Sequence, residues 1–204
     1  MADRLIQDAL FFLTTLDPVG TMALFAALTA RFPAAERRRT AHRAVAYATA
    51  ILLVSVVAGQ ALLSAMGIRL LSLQVAGGVI LFLLGVQMLF SGSDQTSTGQ
   101  AEDGHDLAVF PMAIPSIAGP GAIMAVIVRT DNGLHSLGEQ LATGAVLLGA
   151  LLVMWVALLA AGPILRMIGT NGATILVRVM GMILAALSAE LLLSALGVPG
   201  WAQP

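Results

Sequence analysis

The sequence predicts an all-α fold: a polytopic membrane protein of six transmembrane helices, arranged as two inverted three-helix repeats with helices 1 and 4 broken. Three observations carry that prediction. Hydrophobic residues make up 58% of the 204 and charged residues 10%, whereas a soluble domain is about 45–50% apolar and about 25% charged. The apolar residues come in long blocks, not in the short alternating or 3.6-period stripes of soluble elements. Two proline-glycine motifs interrupt those blocks at matching places in the two halves of the chain.

Each crossing needs about 20 apolar residues to span about 30 Å of hydrocarbon. Span 1 is read at 5–30, span 2 at 44–66, span 3 at 70–90, span 4 at 107–128, span 5 at 141–165 and span 6 at 173–196. Six spans with short connections leave no length for a separate soluble domain. Span 1 lacks the basic start and small-x-small cleavage site of a secretory signal. Segment 31–43 reads as a polar loop, and segment 91–106, rich in Gly, Ser, Thr and acidic residues, as a flexible one.

Every basic residue is Arg, and Arg31, Arg37, Arg38, Arg39 and Arg43 cluster between spans 1 and 2. The positive-inside rule makes that loop cytoplasmic and, with an even number of spans, puts both termini outside. The arginine run is read as a topology signal, with an anionic-lipid or nucleic-acid site as the lesser alternative; no nucleic-acid partner is assigned. Cysteine is absent, which excludes disulfides and thiol chemistry. His42, His105 and His135 lie far apart without metal-ligand spacing, so no metal is assigned.

The first interruption is Leu16-Asp17-Pro18-Val19-Gly20-Thr21 in span 1. The second is Ile114-Pro115-Ser116-Ile117-Ala118-Gly119-Pro120-Gly121-Ala122 in span 4. Proline removes an N–H and clashes with the preceding turn, at about 3 kcal/mol in a helix interior. It also pushes the residue before it out of the α region. Lipid cannot satisfy the freed backbone groups, which must face protein, water or a ligand. A second half-helix starting near Gly20 or Gly121 would point its N–H groups and positive dipole end at a cavity, a setting for a carboxylate. Asp17 is placed to cap the half-helix that begins at Pro18. One proline kink by itself often only shapes packing. Paired interruptions in corresponding positions point instead to a transporter site.

Pro18 and Pro120 are 102 residues apart, and Gly77 and Gly181 are 104 apart. The near-constant offset predicts repeats over 1–98 and 99–204, the second inverted because three spans is an odd number. Gly77, Gly78, Gly85, Gly144, Gly149 and Gly181 suit close helix packing. Charges inside spans are functional suspects: Asp17 and Glu190 are candidates for a coupling proton or Na⁺, or for a substrate amine, and Arg178 for local pairing. Gln74, Gln87, Thr14, Thr15, Thr21, Ser116 and Ser188 are candidate polar lining, though each alone also fits a helix-packing hydrogen bond. The methionines read as apolar filler.

Asp17-Pro18-Val19-Gly20 followed by Met22-Ala23-Leu24-Phe25 resembles the Asn-Pro-x-Gly segment of the MarC family of integral membrane proteins. Ile114 to Ile123 resembles that family's second signature, a Pro-Leu-x-x-Ala-Gly-Pro-Gly-Ala-Ile run. The likeness extends to length, six spans, a basic loop after span 1 and a polar loop after span 3. Some members are described as SnatA-type transporters of small neutral amino acids such as glycine and alanine, and the family is placed near the LysE-like exporters. The resemblance therefore implies a small amino acid as substrate, and the paired breaks would place Asp17, Pro18, Gly20, Thr21, Gly119, Pro120, Gly121 and Ala122 around it. It implies no cofactor beyond a coupling ion, and no partner beyond substrate and bilayer. The chain departs from the family pattern at Asp17, where Asn is usual, and at Ser116, where an apolar residue is usual. A channel with re-entrant lining and a non-transporting membrane protein are the alternatives. A membrane enzyme is disfavoured, because no nucleophile–base or paired-carboxylate constellation occurs.

Overall fold

A computed structural model describes residues 2–90, 106–131, 133 and 135–198. Span 1 is two helices, α1 (Ala2–Leu16) and α2 (Pro18–Leu28). They are followed by α3 (Ala34–Ala65) and α4 (Leu70–Phe90). Span 4 is again two segments, α5 (Ala108–Ile117) and α6 (Pro120–Arg129), bent by 53° at the break. The last element, α7 (Leu137–Ala195), has two apolar limbs, Leu137–Ile164 and Thr174–Ala195, separated at Gly169, whose φ of 66° is glycine backbone. Among the described residues, five helical stretches are long and apolar enough to cross a membrane, and six when the bent pair is taken as one span. The predicted all-α membrane architecture is thus present, and α4 has the predicted bounds of span 3.

One boundary differs. The stretch 31–43 is a loop by hydropathy, yet α3 begins at Ala34 and carries Arg37, Arg38, Arg39 and Arg43 on its first turns. Pro33, extended at φ −56° and ψ 150°, fixes the start. Ala and Arg are good helix formers, and Glu36 in the first turn complements the dipole. Hydropathy marks where a helix enters lipid, not where it begins. Of the predicted flexible loop 91–106, residues 91–105 lie outside the described residues.

The core unites Phe11, Phe12 and Leu16 of α1, Phe25 of α2, Ala48 and Leu52 of α3, Met112 and Ile117 of α5, Ala122 and Ala125 of α6, and Leu151 and Met154 of α7. Against it, Val57, Phe90, Leu141 and Leu152 stay exposed, as expected of a lipid-facing surface. The methionine reading holds for Met112, Met124 and Met154, all fully buried.

Small residues set the closest approach. A Cβ on Gly85 would stand 2.7 Å from the Ala185 nitrogen and 2.8 Å from the Gly181 carbonyl oxygen, and one on Gly181 would stand 2.8 Å from the Gly85 oxygen. Gly78 meets Leu192 on the same limb. Earlier residues of α4 thus meet later ones of Thr174–Ala195, so the two run antiparallel with backbones in contact. Gly77 and Gly121 likewise lie against the side chains of Met124 and Leu81. Gly144 and Gly149, expected to do the same, differ: a Cβ added at either would meet nothing within 4 Å among the described residues.

Candidate functional site

The first break is built by three residues. Pro18 occupies the first position of α2, and Asp17 before it leaves the α region for φ 45°. Asp tolerates that left-handed conformation better than most residues. From there its Oδ1 accepts a hydrogen bond from the Gly20 N–H at 3.0 Å, capping α2. Glycine at position 20 leaves room for that cap, because a Cβ there would displace the Asp17 carboxylate. The Thr21 N–H bonds the Asp17 carbonyl at 3.0 Å, and the Thr21 hydroxyl bonds that of Leu16 at 3.4 Å. The expected cap is therefore present. It also changes the expected chemistry, since the N–H of Gly20 reaches the chain's own carboxylate and that of Thr21 a backbone carbonyl.

The second break is wider. Phe110 (φ −127°, ψ 127°) and Ile114 (φ −128°, ψ 126°) are extended inside α5, each immediately before a proline. Pro111 thus adds a disruption upstream of the predicted motif. Gly119 is extended (φ −78°, ψ 172°) and Pro120 opens α6, whose N-terminus has no side-chain cap. A Cβ on Gly119 would stand 2.5 Å from the Pro115 carbonyl oxygen. The two breaks thus differ: the first is closed by an internal carboxylate, and the second presents an uncapped, buried start at Gly121 and Ala122. Leu16 and Met22 from the first and Ile117, Ala118 and Ala122 from the second belong to one buried cluster.

The remaining candidates are spread. Thr14 and Thr15 bond the carbonyls of Leu10 and Phe11, and Ser188 that of Leu184, each one turn back along its own helix. Ser116 and Gln74 are half-buried. Gln87 is exposed on α4, Glu190 on the Thr174–Ala195 limb, and Arg178 near that limb's start. A groove of about 610 Å³ opens between α3 and the Leu137–Ile164 limb, with His42 accepting a 2.9 Å hydrogen bond from Trp155 Nε1. No residue of either break lines it.

The sequence reading missed a buried charge cluster at the bundle end that carries the N-terminus. Asp8 is fully buried on α1. Its Oδ1 lies 3.1 Å from Arg129 Nη1 at the end of α6, an ion pair whose geometry does not form a hydrogen bond. Its Oδ2 accepts from the Thr143 hydroxyl at 2.8 Å. Arg4 Nε stands 3.9 Å from that same oxygen, and Arg4 Nη1 pairs with Glu139 at 2.8 Å. Arg129 also lies over the Phe11 ring, 4.6 Å from its centroid. Nearby, Gln60 of α3 donates to Asp131 at 3.0 Å. The signal was available: Asp8 is a second acidic residue inside span 1, three residues before an apolar pair. At the opposite end, Arg43 of α3 pairs with Asp106 before α5, both side chains over a third exposed.

The comparisons with known proteins agree with this architecture. The model of the MarC family integral membrane protein matches residues 2–198. A "UPF0056 membrane protein" of Archaeoglobus fulgidus is 35% identical over 188 residues, covering 89% of this chain and 86% of its own length. The "UPF0056 inner membrane protein MarC" of Salmonella paratyphi A is 31% identical, with 87% of each chain covered. A "UPF0056 membrane protein" of Buchnera aphidicola is 28% identical over 98% of both chains. These names specify neither a substrate nor a reaction. No solved structure matches.

Proposed function

Because the chain belongs to the MarC family of integral membrane proteins, we propose that it is a secondary transporter of small neutral amino acids, of the glycine and alanine size, in the SnatA-like and LysE-related manner. The observation that carries the reading is the pair of proline-broken spans whose break residues join one buried cluster. Irregular backbone is tolerated at membrane depth where protein covers it or where it lines a cavity, and paired broken spans are how many transporters build a substrate site.

The two breaks divide the work. The uncapped start of α6 at Gly119, Pro120, Gly121 and Ala122 takes the substrate carboxylate, since it offers N–H groups and the positive dipole end. Asp17, with Pro18, Gly20 and Thr21 shaping the turn around it, faces the amino group or takes a coupling proton or Na⁺. This asymmetry follows from the Asp17 cap, which supplies a carboxylate to the first helix end and leaves the second for an external one. Alternating access is rocking of the repeat 1–98 against the inverted repeat 99–204. The antiparallel contact of α4 with Thr174–Ala195 at Gly85 and Gly181 supports that pairing. The protein is read as residing in the cytoplasmic membrane with both termini outside, the arginine end of α3 facing the cytoplasm.

Uptake or export of labelled glycine and alanine by proteoliposomes tests the reading. Saturable, gradient-coupled flux is expected, and non-saturating flux would indicate a channel instead. Gly121→Leu, which drives a side chain into Leu81, and Pro120→Leu are each expected to abolish transport. Full activity in both variants would remove the site from the second break.

A further inference from the structure

We infer that the Asp8-centred ion cluster is a latch that closes the substrate path at the N-terminal end of the bundle, an inference that rests on the transporter reading and adds its gate. The placement makes the argument. Asp8 lies on α1, the first half of one broken span, and Arg129 ends α6, the second half of the other. Their 3.1 Å pair therefore ties together the two half-spans that reach the same end of the protein. Thr143 and Glu139 of α7 hold the tie through Asp8 and Arg4 at 2.8 Å each. Both half-spans are bounded by a break, at Asp17 and at Gly119, so each has a hinge about which it can tilt.

The chemistry suits a reversible contact. A buried ion pair recovers in mutual attraction about what it loses in desolvation, so its net hold is small while its geometry is exacting. Hydrophobic packing would hold the ends together without that balance. In a chain with 10% charged residues, a fully buried Asp8 flanked by two arginines is also expensive to keep, and such charges in membrane proteins mark pathways. Among the described residues the opposite end differs: its Arg43–Asp106 pair is exposed and joins α3 to the start of α5, not the two half-spans α2 and α5. The structure is thus latched at the N-terminal end.

The chain has no cysteine, so a single introduced one reports accessibility without background. Ala125→Cys places it on α6 one turn inward from Arg129, at a fully buried position, and Ala48→Cys on α3, equally buried, serves as control. The purified protein is treated with a water-soluble maleimide. Asp8→Asn or Arg129→Gln is expected to speed labelling at 125 roughly tenfold, a population shift of the size a modest gate energy gives, with position 48 unchanged. The double variant Asp8→Asn, Arg129→Gln separates a latch from simple damage. Removing both charges restores thermal stability, because no unpaired buried charge remains, yet labelling at 125 stays fast. Labelling at 125 that is unchanged in the single variants, or that returns to the wild-type rate in the double, overturns the proposal. Where Asp8→Asn does not fold, Thr143→Val is expected to give a smaller increase, and no increase there overturns it equally. The readout needs no substrate, so wild-type protein that fails to transport glycine or alanine while keeping this labelling pattern refutes the transporter reading and leaves the closure standing.

Discussion

Replacing Asp17 separates the roles of charge and backbone at the first break. Asp17→Ala removes the carboxylate that accepts the Gly20 N–H at 3.0 Å, and loss of an N-cap costs about 1 kcal/mol. Alanine must also hold φ near 45° without the local hydrogen bond that lets Asp and Asn visit that region, adding about 1 kcal/mol. The expected destabilisation is about 2 kcal/mol. Asp17→Asn keeps an oxygen acceptor and the tolerance of left-handed backbone, and loses only the charge at the helix end, about 0.5 kcal/mol. Reversible unfolding of purified protein in mixed detergent, followed by circular dichroism, measures both. A companion variant sharpens the assay. Gly20→Ala collides with Asp17 Oδ2, so it is expected to destabilise the wild type clearly and the Asp17→Ala background much less. Equal destabilisation by Asn and Ala, or a Gly20→Ala effect independent of residue 17, would refute the capping argument and leave the charge itself as the reason for Asp17.

Three further outcomes are expected. Gly119→Ala, whose Cβ meets a backbone oxygen at 2.5 Å, should cost about 1–3 kcal/mol from overpacking, seen as a lower unfolding midpoint; wild-type stability there would show that the second break relaxes freely. Arg129→Gln leaves the buried Asp8 with only the longer Arg4 contact at 3.9 Å, so equilibrium unfolding should report a loss of up to about 3–5 kcal/mol, against a much smaller one for Asp106→Asn at the exposed pair. Gly85→Leu places a side chain against the Ala185 backbone and should either unfold the protein or force α4 away from the Thr174–Ala195 limb, measured as a lengthened spin-label distance between the two.

Much of the fold was legible because the bilayer imposes simple rules. A helix in lipid needs a long apolar block, and the blocks of this chain mark α4 to the residue and the two limbs of α7 to within a few. Proline acts locally whatever its surroundings, so the breaks at Asp17-Pro18 and Gly119-Pro120 were readable from neighbours in sequence, as was the cap that Asp17 gives α2. The start of α3 was misplaced for the complementary reason: beyond the hydrocarbon, helix propensity and the proline at position 33 decide, and hydropathy is silent.

What the sequence determined by itself is the set of local events: apolar spans, two broken helices, a carboxylate poised at the first break. Tertiary structure alone decided which of these meet. Asp8 and Arg129 are 121 positions apart, and no pattern in either segment says that one neutralises the other; only the packing of α1 against α6 brings them to 3.1 Å. The inequality of the two helix ends, by contrast, is set locally. Both were expected to offer N–H groups to a ligand, yet the turn at Asp17 folds its own carboxylate onto one, while the extended Gly119 leaves the other uncapped. Hydrogen bonds and ion pairs act over a few ångströms, so their partners are fixed by which helices touch, and composition and spacing carry that information only indirectly.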